Sequence, residues 1–315
     1  MKKYTIGVDL GGRSAKFGVF TSDGSLIDKS NIATRVENKG QYILEDIFEH
    51  LKKIMEKYDL DEDNLNGIGI GVPGSVLSRG FVLQAVNLNW IDVDVRGFFE
   101  QRLDVPVYVE NDANVAALGE AWHGAGKDYD NLLMVTLGTG VGGGIIINGD
   151  IVSGSTGSAG EIGHMPILEV PLKRTCGCGG HQCLELVAAA PGIEATANDY
   201  LFENEIESAL REVDSIIAKD VFDAYKDGDE AAEAIVNIFF EHLGRGIANV
   251  TAVIDPQIVV IGGGVAGAGK VLIDGVQAVY KRHAFKATKE VVFATASLGN
   301  DAGIYGAAKL VIGAL

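Results

Sequence analysis

The sequence predicts an α/β protein built from two related domains, and three observations carry that prediction. Short apolar runs alternate with amphipathic helical segments along most of the 315 residues. A strand, a Gly-rich turn and a second strand occur twice, around Gly11 and again around Gly138. A loop-rich stretch, Ser153 to Glu185, holds all three cysteines together with His164, and three thiolates plus one imidazole form a closed tetrahedral zinc site.

In chain order, strands are expected at Tyr4–Asp9, Ala15–Phe20 and about Leu26–Ala33. Gln41–Tyr58 reads as a helix, with Ile43, Ile47, Leu51, Ile54 and Tyr58 on one face. Ile68–Val72 is a buried strand running into Pro73-Gly74. Val107–Val109 is a short strand ending at Glu110-Asn111-Asp112, with a helix following to about Ala121. Leu132–Leu137, a turn over Gly138–Gly144 and a strand at Ile145–Ile147 form the second strand–turn–strand unit, and Asn148-Gly149 signals a hairpin. After Glu185 the chain is largely helical to Ile254. Ile258–Ile261 is a strand ending in three glycines and followed by a helix. Val291–Ala294 is the last strand and Asp301–Ile312 the last helix. Val8-Asp-Leu-Gly-Gly12 echoes Val135-Thr-Leu-Gly-Thr139. The echo marks either a duplicated domain facing a shared cleft or a chance recurrence of glycine turns.

Bulk composition narrows the function. A net charge of −17 argues against nucleic-acid and anionic-membrane partners. An anionic nucleotide would have to be held by local backbone N–H groups and metal. Met1-Lys-Lys-Tyr4 is followed by no apolar leader segment and no run reaches membrane-spanning length. Three clustered cysteines make a poor disulfide framework and a good metal site, so a reducing cytoplasm is expected. With 42 glycines and only 6 prolines, the glycines belong to turns rather than to linkers.

Those turns suit phosphate, because triphosphate oxygens need close backbone N–H groups. Asp9-Leu-Gly11-Gly12 and Gly138-Thr139-Gly140 are both tight turns between strands. Asp9 is placed to hold Mg²⁺, Lys16 adds positive charge, and Gly262-Gly263-Gly264 would let an adenine or ribose lie on the backbone. A Walker P-loop is absent, and no GxGxxG joins a strand to a helix. Asn111-Asp112 sits at a strand-to-helix junction. Asp112 is either a base for a hydroxyl acceptor or simply a helix cap. Sugars are clasped by planar carboxylates and amides, and Glu161, Asn111 and Glu185 are of that kind; for the two glutamates the alternative is a solvated surface pair. Fixing His164 would fix Glu161, and fixing Cys183 would fix Glu185.

These motifs together resemble the ROK family of sugar kinases, and within it the bacterial ATP-dependent glucokinases. The resemblance spans nearly the whole chain. It rests on Asp9-Leu-Gly-Gly12 with Lys16, Val72-Pro-Gly74, Asn87-Leu-Asn-Trp90, Glu110-Asn-Asp-Ala-Asn114, Leu137-Gly-Thr-Gly-Val-Gly-Gly143, Glu161-Ile-Gly-His164, Cys176-Gly-Cys178-x₄-Cys183 with Glu185, and Gly262–Gly264. It implies an actin/hexokinase-like (ribonuclease H-like) fold of duplicated domains, with an interdomain cleft and a zinc-bearing loop at 161–185. The small domain would comprise residues 1–110 completed by a helix at 298–315, and the large domain residues 111–297. Closure around the sugar would exclude water. The implied reaction is ATP + D-glucose → ADP + glucose 6-phosphate, with Asp112 as base.

By the same resemblance, Gly74, Asn111, Glu161, His164 and Glu185 would bind the sugar. Asp9, Gly11, Gly12, Arg13, Lys16, Gly138, Thr139 and Gly140 would serve the phosphates and Mg²⁺, and Gly262, Gly263 and Gly264 the adenosine. His164, Cys176, Cys178 and Cys183 would hold Zn²⁺, and the protein would be a homodimer or homotetramer. Other readings within reach are a kinase for mannose, fructose or an N-acetylhexosamine, and a non-catalytic sugar sensor. The family's repressors carry an N-terminal helix-turn-helix, whereas here the first strand opens the chain. Two positions depart from the family pattern. Arg13 stands where Thr is usual, which leaves polyphosphate as a donor beside ATP. Gln182 stands where Gly is usual, and it is expected to be strained if that position needs positive φ.

Overall fold

The structure, a computed structural model, describes residues 3–77 and 79–314. The chain begins with strands β1 (Tyr4–Leu10), β2 (Ser14–Thr21) and β3 (Leu26–Ala33), then helix α1 (Ile43–Tyr58) and strand β4 (Leu65–Val72). A small meander follows, β5 (Ser75–Leu77), β6 (Phe81–Ala85) and β7 (Trp90–Asp94), leading into α2 (Val95–Glu100), β8 (Val107–Asn111) and α3 (Asp112–His123). Next come β9 (Leu132–Leu137), β10 (Val141–Ile147) and β11 (Asp150–Ile151). The helices α4 (Glu185–Ala188), α5 (Ala190–Glu203), α6 (Ala218–Lys226) and α7 (Glu230–Ile254) lie beyond the loop-rich segment. The chain closes with β12 (Ile258–Gly262), α8 (Lys270–His283), β13 (Val292–Thr295) and α9 (Ala302–Gly313).

Two five-stranded sheets have the same plan, β3-β2-β1-β4-β8 and β11-β10-β9-β12-β13. In the first, β1 pairs antiparallel with β2 and β2 with β3, while β4 adds parallel to β1 and β8 parallel to β4. In the second, β10 pairs antiparallel with β11, and β12 runs parallel to both β9 and β13. The echoed segments at 8–12 and 135–139 fall on the equivalent turns, β1 to β2 and β9 to β10. The recurrence is therefore a structural duplication and not chance.

Two compact units result. One holds the described residues up to Asp130, Gly144–Gly160 and Ser297 onward; the other holds Asn131–Gly143 and Glu161–Ala296, with the division falling inside β10. The boundary expected at 110 lies about a helix later, because α3 belongs with α9. A Cβ on Gly119 of α3 would overlap the Ala302 carbonyl, and one on Gly306 of α9 would overlap the Val115 carbonyl. The two helices thus meet backbone to backbone. Buried Glu120 adds a clamp: Oε1 accepts from the Leu298 N–H at 2.8 Å, and Oε2 from the Ala125 (2.8 Å) and Ser297 (3.1 Å) N–H groups.

The first core forms where α1 lays Ile43, Ile47, Leu51 and Ile54 on the sheet, against Ile6, Val8, Phe17, Ile68 and Ile70. In the second unit Phe239, Leu243 and Ile247 of α7 are buried, as are Leu272, Val276 and Tyr280 of α8. Strand β10 begins at Val141, earlier than the glycine content suggested. Within the strand, position 144 is glycine because Ala117 and Ala113 of α3 leave no room for a Cβ. Among the described residues no helix is long and apolar enough to cross a membrane.

Gly7 and Gly69 receive α9 in the same backbone-to-backbone manner, against the Ile304 and Ala307 carbonyls. Gly69→Ala should therefore destabilise the first unit by about 1–3 kcal/mol. Urea unfolding followed by tryptophan fluorescence checks this, since Trp122 packs beside Tyr305 of α9.

Candidate functional site

In the first unit, the β1–β2 turn shapes the Asp9 region. The Gly11 N–H donates to the Ser14 carbonyl (3.0 Å), and the Gly11 carbonyl accepts from the Thr34 hydroxyl (2.7 Å), so the turn is fixed from both sides. Neither Gly11 nor Gly12 has positive φ. At Gly12 the constraint is space, a Cβ there lying 3.2 Å from the Asn87 carbonyl oxygen. The Arg13 side chain is exposed. Asp9 lies against the start of α9, where a Cβ on Gly303 would come within 2.5 Å of its carboxyl carbon. Burial raises the Asp9 carboxyl above its usual range, and the Lys16 ammonium acts the other way. Lys16 Nζ is 3.2 Å from Asp9 Oδ2 and donates to the Asn300 carbonyl at 2.9 Å. Lys16 thus holds Asp9 and the α9 approach in place.

At the β8–α3 junction, Asn111 is the cap. Its Oδ1 accepts from the N–H groups of Ala113 (2.9 Å) and Asn114 (3.1 Å), and its Nδ2 donates to the Gly74 carbonyl at 2.9 Å. Gly74 has φ 94° and lies against the Gln84 carbonyl, so a side chain is excluded twice over. Asp112 opens the first turn of α3, half-buried, with Oδ1 accepting from the Ala113 N–H at 2.8 Å. Of the two readings of Asp112, the cap falls to its neighbour. Glu110 supports the junction from behind. Its Oε1 accepts from the Asn111 N–H (2.8 Å) and Asn114 Nδ2 (3.0 Å), and its Oε2 from the Ser153 hydroxyl (2.7 Å). Sequence reading placed Glu110 in the motif but gave it no role, because the link to Ser153 spans 43 residues.

In the second unit, the donor atoms of His164, Cys176, Cys178 and Cys183 all lie within 4.8 Å of one another. Cys176 Sγ is 3.3 Å from His164 Nδ1, and Cys178 Sγ is 3.4 Å from Cys183 Sγ. Around tetrahedral zinc with Zn–S near 2.3 Å, donors sit roughly 3.5–4 Å apart. The set fits a structural Zn²⁺ held by these four residues, which would brace the loop without an open coordination position. Burial pushes the Cys176 thiol up to about 12, and the Gly180 N–H holds Cys178 below its usual value. With Nδ1 toward the thiols, His164 Nε2 lies 3.9 Å from Glu161 Oε2, and both side chains are largely exposed. The expected strain at Gln182 is not found: it lacks positive φ. Its Nε2 donates to the Leu168 carbonyl at 2.7 Å, and its own carbonyl accepts from the Ile167 N–H (2.9 Å). Positive φ falls instead on Gly179, at 88°.

The β9–β10 turn is held by its surroundings. The Gly138 N–H donates to the Gly140 carbonyl (2.9 Å), and the Gly138 carbonyl accepts from the Ala190 N–H (2.8 Å). Gly138 also lines a cavity of about 480 Å³ with Ala190, Ile217, Ala218, Phe222, Gly264 and Val265. That volume suits a nucleoside-sized ligand. Of the three glycines at the end of β12, only Gly264 faces the cavity, with nothing within 4 Å of its Cβ position. Gly262 packs on Ala296, while Gly263, at φ 87°, lies against the Leu137 carbonyl. The α6 wall was not legible, because its apolar residues read as ordinary core.

Elemental analysis should find about one zinc per chain, lost in Cys176→Ser together with several degrees of thermal stability. His181→Ala should retain the metal. Although His181 lies within the cysteine cluster's sequence, its Nδ1 faces the Leu172 (3.1 Å) and Arg174 (3.2 Å) carbonyls.

Known proteins resemble this chain over nearly its whole length. The ROK family model matches residues 5–314. A glucokinase of Halalkalibacterium halodurans is 38% identical over 314 residues, covering 98% of this chain and 95% of its own. Among solved structures, a ROK hexokinase from Thermus thermophilus is 32% identical with TM-score 0.80, covering 97% of this chain and 96% of its own. A ROK glucokinase from Streptomyces griseus, in complex with glucose and AMPPNP, is 32% identical with TM-score 0.77, covering 98% of both chains. With the duplicated actin/hexokinase-like sheets and the His–Cys₃ loop in place, the chain belongs to the ROK family.

Proposed function

We propose that the protein is an ATP-dependent glucokinase, transferring the terminal phosphoryl group of ATP to the 6-hydroxyl of D-glucose. The observation that carries this reading is the division of labour at the β8–α3 junction. Asn111 supplies the helix cap, so the Asp112 carboxylate beside it is not needed for capping. In the proposed reaction Asp112 takes the hydroxyl proton as the acceptor oxygen attacks. That proton leaves late in phosphoryl transfer, so a positioned carboxylate suffices.

Gly74, Asn111, Glu161, His164 and Glu185 are the groups proposed to clasp the sugar hydroxyls. Asp9, held by Lys16, is the residue that would hold Mg²⁺, which when bound neutralises charge on the phosphates. Gly11, Gly12 and Arg13 in one turn, and Gly138, Thr139 and Gly140 in the other, are assigned to the phosphates. Gly264 and the cavity it lines are assigned to the nucleoside. Relatives named glucokinase support glucose as the acceptor.

Purified protein with magnesium–ATP should release ADP, with the highest kcat/KM for glucose in a panel with mannose, fructose and N-acetylglucosamine; no turnover with any hexose would sink the proposal. Asp112→Asn should lower kcat by about 10²–10⁴-fold while glucose still binds calorimetrically, and a fully active variant would remove Asp112 from the chemistry. Gly264→Val, which fills the cavity wall, should raise the KM for ATP several-fold and leave the KM for glucose unchanged.

A further inference from the structure

The Glu185 carboxylate touches the cysteine cluster and the β9–β10 turn at once. Its Oε1 is 3.4 Å from Cys176 Sγ, and its Oε2 accepts from the Val141 N–H at 3.0 Å. Gly140 is what admits it, since a Cβ there would lie 2.5 Å from that same Oε2. Two more contacts join this turn to the loop and its flank. The Ala190 N–H donates to the Gly138 carbonyl at 2.8 Å, and Gly163, between Glu161 and His164, leaves no room for a side chain against the Val141 carbonyl. Glu185 stands two residues after Cys183, at the start of α4. A ligand at each end of the loop therefore lies beside a contact with residues 138–141.

We infer that Glu185 is a positioning residue that couples the metal cluster to the phosphate turn. With the cluster assembled, its carboxylate fixes Val141 and, through it, the backbone of Thr139 and Gly140. With the cluster open, Cys183 no longer fixes the start of α4 two residues away, and the Glu185 carboxylate loses its register on the turn. The metal then acts on the nucleotide side as well as on the sugar side. This rests on the reading of Gly138–Gly140 as a phosphate-holding turn.

The test is magnesium–ATP binding measured by calorimetry without sugar, alongside hydrogen exchange at the Val141 amide and zinc content. Zinc-loaded Glu185→Ala should keep its metal, bind magnesium–ATP roughly tenfold or more weakly and exchange Val141 faster. Glu185→Gln, whose side-chain oxygen still accepts from Val141, should stay within about threefold of wild type. Chelating zinc from wild type should reproduce the Glu185→Ala loss, and chelating it from Glu185→Ala should add nothing. If Glu185→Ala fails to fold, chelated wild type serves in its place: faster exchange at the Val141 amide supports the coupling and unchanged exchange overturns it. Wild-type nucleotide affinity in zinc-loaded Glu185→Ala, or a loss confined to glucose affinity, would overturn the coupling alone. A zinc-loaded wild type that binds no nucleotide would overturn the kinase reading and the coupling with it.

Discussion

The segment from Glu161 to Glu185 has almost no regular secondary structure, and the meeting of four soft donors is what gives it one shape. A single short 3₁₀ turn and one isolated bridge, Pro166 to Cys183, are all the ladder pairing it owns among the described residues. Loops of this length ordinarily stay on the surface and move. Here the imidazole of His164, from near the start of the segment, meets three sulfurs from its later part. Arg174 and Arg245 add bonds to the Leu186 carbonyl (3.0 Å) and the Ile167 carbonyl (2.6 Å). The loop is thus held by the donor cluster and by two guanidinium groups bonded to main-chain oxygens. The side chains of this loop that are proposed to meet the sugar depend on that.

A second theme is the carboxylate that accepts from backbone N–H groups. Glu110, Glu120 and Glu185 each do so, and each joins segments distant in sequence: Glu110 to Ser153, Glu120 to Leu298 and Glu185 to Val141. Charge-assisted bonds to amide groups are short and directional, which suits them to fixing loops whose own backbone lacks ladder partners. Glu110 and Glu120 fix backbone in this way, the first of them right beside a functional motif. Glu110, next to Asn111-Asp112, shows how a catalytic-looking acidic run divides into a support, a cap and a candidate base.

How much of this was legible follows from the range of the interactions. The α1 helix could be read because its apolar spacing is local, and all four of its buried face positions, Ile43, Ile47, Leu51 and Ile54, are where periodicity put them. The small β5–β7 meander was not seen, since Leu83, Val86 and Ile91 are exposed and break the alternation that marks a half-buried strand. Lys16 read as a phosphate-binding charge and turned out to be paired with Asp9 and the Asn300 carbonyl, a partner 284 residues away. The glycine triplet at the end of β12 read as one nucleotide platform. In three dimensions it divides into two packing positions and one cavity-lining residue. Glycine content reveals that a Cβ is unwelcome, but not which neighbour excludes it.

By itself, the sequence determined the two strand–turn–strand repeats, the identity and spacing of the metal donors, and the acidic junction at Glu110–Asp112. All of these are encoded within a few residues of one another. Only the tertiary structure decided that α3 stays with α9, that Asn111 rather than Asp112 caps α3, and that Glu185 reaches from the cysteine cluster to the β9–β10 turn. The first and last of these depend on close approach between backbones and on single N–H groups, contacts that exist only once distant segments have packed; the cap itself is local, and its long-range part is the Asn111 Nδ2 bond to the Gly74 carbonyl.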